Sequence, residues 1–429
     1  MSVLNSMKDS LEKILLPLTA KITENKTMKA LQSGMMLTMP ISLGVSIIAI
    51  LSNLPFPGWI DFLRQIGIYG VAQEVVSSTI SMLAIYITFA ISYNYAKNEK
   101  ENAVIVALIA VASFITMMPQ SIQVGETSVS ALLSSYLGSE GIFVSMIVAV
   151  VTAKAYCWLS KKNLRIKLPD SVPPMVSDSL GSVVVAMIWF TVILIAKYAF
   201  SLTSYGNIFA FISQVVSKPV MSVGTTVWAL IFVQTFANLM FFFGIHPSAV
   251  FAVYSPIMRV ATTANAEAFM AGEALPYLGF AIAYLCIKNS GTGNTLGLSL
   301  CTLFAKSERF KSMRKLVIIP NLFNINEPII YGFPVMLNPI FFIPMMLSAI
   351  VPGAIAVGFA GIFNNIIMNT TIRLPWVTPT FITAFTQGGL AIAGLVIFVT
   401  LVGLLLYYPF FKIADSMALK EEQQFSEGN

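Results

Sequence analysis

The sequence predicts an all-α integral membrane protein, on three observations. Of 429 residues, 57% are hydrophobic and only 10% charged, against roughly 25% charged in an average soluble protein. Apolar runs near the length that crosses a hydrocarbon core of about 30 Å recur along most of the chain. These runs are continuously apolar rather than alternating over segments of about 10 residues, which excludes a transmembrane barrel.

The first 29 residues come before any span. Leu4, Leu11, Leu15, Leu18 and Ile22 share one helical face, and lysines take the other, the pattern of a helix lying in the headgroup region. Lys8, Lys13, Lys21, Lys26 and Lys29 are spread too widely for the basic region of a cleaved signal peptide, so none is expected.

Spans follow at roughly residues 30–51, 76–96, 103–120, 140–159 and 180–200, each bounded by polar or Gly/Pro-containing connectors. Few polar groups interrupt them. A connector at 203–221 carries Ile208, Phe211, Ile212, Val215 and Val216 at amphipathic spacing and joins two halves of the chain. Beyond it, spans at 222–244, 266–288, 335–361 and 385–411 are separated by apolar segments too short or too broken by Gly and Pro to cross. A tail at 412–429 ends the chain. The half from 30 to 202 reads as scaffold or oligomer contact, and the half from 222 to 411 as the binding half.

Net charge is +6, but the sum points to no nucleic acid, because the Lys and Arg residues cluster between spans. Every second connector is basic: residues 1–29, Lys97 with Lys100, Lys154 to Lys167, Lys306 to Lys315, and Lys412 with Lys420. The positive-inside bias makes that side cytoplasmic and puts both termini there. Cys157, Cys286 and Cys301 lack CxxC spacing and read as small core residues, so neither a metal site nor a cofactor is expected.

Chemistry is sought in the broken segments. Non-helical backbone at membrane depth leaves polar groups unpaired unless it is buried in protein or lines a wet cavity. Phe241-Phe242-Phe243-Gly244-Ile245-His246-Pro247 places the one histidine of the chain at a Gly/Pro break. A re-entrant tip and an interfacial helix cap both fit it. Phe323-Asn324-Ile325-Asn326-Glu327-Pro328 sets a carboxylate among apolar residues, where ionisation at the bilayer centre costs about 2.5 to 3.5 kcal/mol. A second tip facing a cavity and an interfacial helix end are the two readings. Asn289 to Gly297 is Gly-rich but has neither a P-loop ending nor GxGxxG spacing. It suits presentation of backbone donors and amides to a neutral polyol, or a plain connector. Leu374-Pro375-Trp376-Val377-Thr378-Pro379 offers an indole for stacking on a sugar face or for anchoring at the interface.

These motifs carry a resemblance. FNINEP with Tyr331-Gly332 and Asn338-Pro339, and in the same order FFFGIHP, GTGNTLGLSL, LPWVTP and Gly388-Gly389, is similar to the lactose/cellobiose family of phosphotransferase-system sugar permeases, the IIC components. The resemblance implies about ten transmembrane helices with two re-entrant hairpins, in a homodimer of a bacterial cytoplasmic membrane. The first half would dimerise and the second would hold a β-linked disaccharide such as cellobiose, moving it by an elevator-type displacement.

It further implies that His246 bonds the sugar and that Glu327 is the catalytic carboxylate beside the hydroxyl to be phosphorylated. Asn326, Asn289 and the loop of Gly291, Gly293 and Asn294 would complete the pocket with Trp376 and Thr378. The phosphoryl donor would be a phosphocysteine on a separate IIB protein, supplied by IIA and the general phosphotransferase proteins, because the tail after Lys412 is too short for a folded domain. Met240-Phe241 and Pro247 depart from the Trp and Gly that the family pattern carries, which removes an indole donor and stiffens the first tip. A proton- or sodium-coupled secondary sugar transporter, with Glu327 as the coupling carboxylate, is the competing reading.

Overall fold

The computed structural model describes residues 24–52, 58–125, 127–162, 164, 166, 169, 173–245, 247–326, 328–333, 335–363 and 366–427. The amphipathic segment expected before residue 24, together with His246 and Glu327, lies outside the described residues.

The first half is built from broken and whole helices. α1 (Lys26–Leu37) starts where the Asn25 side chain accepts from the N–H groups of Thr27 and Met28, and α2 (Met39–Ser52) continues it past Thr38. A short α3 (Trp59–Gln65) leads into α4 (Ile68–Ile80) and α5 (Leu83–Asn98), which form one apolar stretch over Ile68–Asn98. α6 (Ala103–Met117) is capped by Asn102, whose side chain accepts from the Ile105 N–H.

Two exposed strands, β1 (Ser121–Val124) and β2 (Thr127–Ser130), pair antiparallel with Ser121 opposite Ser130. The sequence patterning did not anticipate this hairpin. A short α7 (Ser134–Leu137) then leads to α8 (Ile142–Lys161), α9 (Pro174–Gly181) and α10 (Val183–Ser201).

The amphipathic connector forms α11 (Ile208–Ile212), a π-turn and α12 (Lys218–Gly224). Its apolar face packs on the first half: Phe209 meets the rings of Phe114 at 5.3 Å and Tyr136 at 4.7 Å. The chain then bends by 72° into α13 (Val227–Phe242).

Beyond α13 the structure departs from the expected spans. α14 (Ser248–Ala271) is one continuous helix of 24 residues where a broken segment was expected. The expected span at 266–288 is interrupted at 272–277 and resumes as the ten-residue α15 (Leu278–Ile287). The break has a local cause: Gly272 takes φ +73, and Pro276 follows. Two polar residues of α14 are bonded across to the first half. Arg259 Nη2 donates to the Met35 carbonyl at 3.1 Å and to Thr38 Oγ1 at 2.9 Å, and Glu267 accepts from both the N–H and the hydroxyl of Ser139.

α16 (Leu296–Cys301) and α17 (Glu308–Leu322) precede α18 (Pro339–Phe363) and the long α19 (Thr380–Glu427). α19 is kinked at Gly388-Gly389, where Gly389 has φ +66 and ψ −160, a region open essentially to glycine alone. Five described helical stretches are long and apolar enough to cross a bilayer, or six with the bent pair, and shorter apolar helices fill the spaces between them. Small residues permit the closest approaches, as where Gly297 of α16 lies against the Gly403 backbone of α19.

The end of α19 returns to the start of α17. Asp415 accepts from the backbone N–H groups of Lys306 and Ser307, and Glu422 from those of Glu308 and Arg309. On the first half, Glu99 is 7% exposed and bridges Lys26 and Lys161. Hydrogen bonds from those two ammonium groups hold its carboxyl below the usual carboxylate range.

Candidate functional site

Four irregular segments of the second half meet, and each is irregular for a reason visible in its residues. The segment after α13 turns at Gly244, with φ +82, and Pro247 precedes α14. Residues 288–295 reverse direction through left-handed Ser290, Gly291, Gly293 and Asn294. The segment after α17 turns at Asn324, with φ +63, and runs through Asn326 to a π-turn at Pro328–Gly332. Residues 366–379 form an extended, Pro-bracketed loop ahead of α19.

Long-range hydrogen bonds join these segments. Asn326 Nδ2 donates to the Thr292 carbonyl of the Gly-rich loop. Asn324 Nδ2 donates to the carbonyls of Trp376 and Thr378, both at 2.8 Å, while its Oδ1 accepts from Thr380 Oγ1 at 3.1 Å. One asparagine therefore holds two carbonyls of the Trp376 loop and the first residue of α19. Asn321 accepts from Thr295 Oγ1 at 3.0 Å and donates to Ser299 Oγ at 2.5 Å. Approach is so close that a Cβ on Gly291 would lie 3.0 Å from the Asn324 carbonyl oxygen.

The segment that carries His246 joins through its flank. The Leu337 N–H donates to the Phe242 carbonyl at 3.0 Å, and a Cβ on Gly244 would lie 2.8 Å from Met336 Sδ. Phe241, Phe242 and Phe243 share one buried cluster with Ile329, Ile330, Phe333 and Val335. Chain immediately before residue 246 is thus packed on chain immediately after residue 327.

The expected site residues divide by what their side chains do. Asn289 and Asn294 are buried and support the loop from behind: Asn289 donates to Thr400 Oγ1 at 2.7 Å, and Asn294 to the Cys286 carbonyl at 3.2 Å. Gly293 offers its carbonyl to Tyr407 OH at 2.7 Å. Trp376 is 64% exposed. Asn326 is buried against the Gly-rich loop. Gln387, beside the kink in α19, donates to the Ile372 carbonyl at 2.7 Å, tying the Trp376 loop to the Gly388-Gly389 break.

Two features escaped the sequence reading. Lys288 closes α15 as a span-ending lysine would, with its Nζ 3.5 Å from the centroid of the Phe251 ring of α14. Arg373 reaches α14, with Nη2 3.4 Å from Thr263 Oγ1. Their signal was charge outside the basic connectors. This arrangement sets polar, non-helical backbone inside an apolar bundle, where such groups must be paired within the protein or line a wet cavity.

A family model described as "Phosphotransferase system, EIIC" matches residues 32–349. The chain is 36% identical to the "PTS system galactose-specific EIIC component" of Lactococcus lactis subsp. cremoris (strain MG1363), covering 96% of each chain. It is 28% identical to the "PTS system lactose-specific EIICB component" of Staphylococcus aureus (strain N315), over 96% of this chain and 73% of that one. Among solved structures it is similar to the transporter ChbC, the IIC component from the N,N'-diacetylchitobiose-specific phosphotransferase system. The TM-score is 0.88 at 27% identity, covering 96% of this chain and 99% of the other.

Proposed function

This chain belongs to the phosphotransferase-system EIIC family, and from that premise we propose that it imports a β-linked disaccharide of the cellobiose type and presents it for phosphorylation. It is an integral membrane transporter of a bacterial cytoplasmic membrane, and components of this class work with IIB partners. The observation that carries the reading is the bonding of the Asn324–Asn326 turn to both the Gly-rich loop and the Trp376 loop. It gathers amides, backbone groups and an aromatic face at one place, which is what a polyol with apolar ring faces requires.

In this reading His246 hydrogen-bonds the sugar and Trp376 stacks on a ring. Glu327 orients one hydroxyl and accepts its proton as a phosphocysteine on IIB yields its phosphoryl group, a step governed by alignment and charge placement. The second half moves as a body against a dimeric first half, carrying the sugar from the outer to the cytoplasmic side. Such motion must break the bonds from Arg259 to Met35 and Thr38 and from Ser139 to Glu267. Lactose and diacetylchitobiose, named for two relatives, are both β-linked disaccharides, which supports the substrate class.

The test is mass spectrometry of vesicles bearing the full chain, supplied with phosphorylated IIB and a panel of β-glucosides and β-galactosides. Sugar phosphate is the expected product. Uptake of unmodified sugar driven by a proton or sodium gradient would overturn the reading.

A further inference from the structure

α19 ends in charge and is longer than a bilayer crossing. It has 48 residues, more than twice the roughly 20 that a hydrocarbon core requires, and even the part beyond the Gly388-Gly389 kink exceeds that length. One end must stand clear of the hydrocarbon. Residues 380–389 hold no charged side chain, whereas the other end carries Lys412, Asp415, Lys420, Glu421 and Glu422. The start of α17 is fastened to that charged end. Asp415, 4% exposed, accepts from the N–H groups of Lys306 and Ser307 and from the Ser307 hydroxyl, and Glu422 accepts from the N–H groups of Glu308 and Arg309.

With those two carboxylates engaged by backbone, the exposed surface of this platform is cationic. Over residues 303–315 and 412–422, seven Lys and Arg stand against four Asp and Glu. Lys306, Arg309, Lys311 and Lys315 are exposed. Arg309 meets Glu421 at 3.6 Å and Lys311 meets Glu308 at 2.8 Å, while Lys306 and Lys315 have no carboxylate partner among the described residues. Leu303 and Phe304, just before them, are more than half exposed. Exposed apolar side chains beside Lys and Arg on a surface held rigid from below are what a protein interface offers.

The buried face of the same helix touches the candidate site. Phe310, in the first turn of α17, stacks on Phe333 at 4.5 Å, and a Cβ on Gly332 would lie 3.2 Å from Met313 Cε. The turn that ends there begins at Asn326, whose carbonyl accepts from the N–H groups of Ile329 and Ile330 and whose side chain is bonded to the Gly-rich loop. One helix, about 10 Å across, therefore separates the cationic surface from the Asn326 turn. Resting on the function proposed above, we infer that the start of α17, with Lys306, Arg309, Lys311 and Lys315, is the docking surface for the phosphorylated IIB partner. A phosphoryl group carries about −1.5 to −2 charge near neutrality, so a surface with cations in excess favours the phosphorylated form of that partner. The surplus length of α19 sets this surface toward solution rather than among lipid headgroups.

The experiment compares the full-length wild type with the double variant Lys306→Glu, Lys315→Glu in vesicles of phosphatidylcholine alone and with phosphatidylglycerol added, measuring sugar phosphate formation against the concentration of phosphorylated IIB. The variant should raise the KM for IIB about tenfold, the low end of what steering by surface charge supplies. Its kcat should stay within about threefold of wild type and its sugar dissociation constant within about twofold, a split that general damage to the fold would not give. The wild-type KM should also rise with salt, and more steeply than that of the variant. An unchanged KM for IIB would overturn the inference, as would a fall in kcat at an unchanged KM. A KM difference seen only with phosphatidylglycerol present would assign these cations to lipid headgroups and overturn it too. Should the charge reversals prevent folding, Lys306→Gln with Lys315→Gln gives the same test, and a wild-type KM there would count against the surface. Absence of sugar phosphate with wild type at any IIB concentration would instead sink the function on which the inference rests.

Discussion

Replacing Asn324 by alanine should uncouple the Trp376 loop from the rest of the site. Three hydrogen bonds are lost: two donated to the Trp376 and Thr378 carbonyls and one accepted from Thr380. At about 0.5 to 1.5 kcal/mol net for each, the loss is about 1.5 to 4.5 kcal/mol. Alanine at φ +63 adds about 1 kcal/mol of left-handed strain that glycine does not incur. Asn324→Gly loses the same bonds without the strain, so it should be at least as stable as Asn324→Ala, reversing the usual order of the two residues. Apparent melting temperature in detergent ranks the three proteins, and sugar titration reports the site. Wild type should melt highest and alanine lowest, with sugar affinity down at least about tenfold in both variants, equivalent to 1.4 kcal/mol. Wild-type melting and affinity in Asn324→Ala would refute the claim that this side chain joins the two loops.

Glu327→Gln should retain most sugar binding but form sugar phosphate at least about 100-fold more slowly, since the amide cannot take the hydroxyl proton; unchanged production with phosphorylated IIB would count against it. His246→Ala should weaken sugar binding by about tenfold, the loss of one hydrogen bond to the ligand, and an unaltered dissociation constant would remove His246 from the pocket. Gly389→Ala should destabilise by about 1 to 3 kcal/mol through backbone conformation alone, because nothing lies within 4 Å of the added methyl group; thermal melting checks it. The Glu99 carboxyl, held low by Lys161 and Lys26, contributes stability that is fully present above the ordinary glutamate range near about 4.3 and is lost as pH falls through its depressed value. The melting difference between wild type and Glu99→Gln should therefore be largest near neutrality and shrink on acidification.

Legibility differed among the residues for physical reasons. The turns at Gly244, at 289–295, at Asn324 and at 374–379 were visible because Gly, Pro and Asn impose their conformations locally. α14 was not. Its polar residues Arg259, Asn265 and Glu267 each have a partner that no local pattern discloses: Met35 with Thr38, Tyr277, and Ser139. Lys288 was passed over because a lysine that closes a span ordinarily reaches water, and only packing reveals that this one faces Phe251.

Composition and spacing were enough to establish a helical membrane protein and the turns at Gly244, 289–295, Asn324 and 374–379, since each follows from what a residue does in its own stretch of chain. Which broken segment meets which was decided by the tertiary structure. The bonds from Asn326 to Thr292 and from Asn324 to Trp376, Thr378 and Thr380 span 34 to 56 residues. An unpaired backbone group at membrane depth must find a partner, but nothing in its own segment specifies which one.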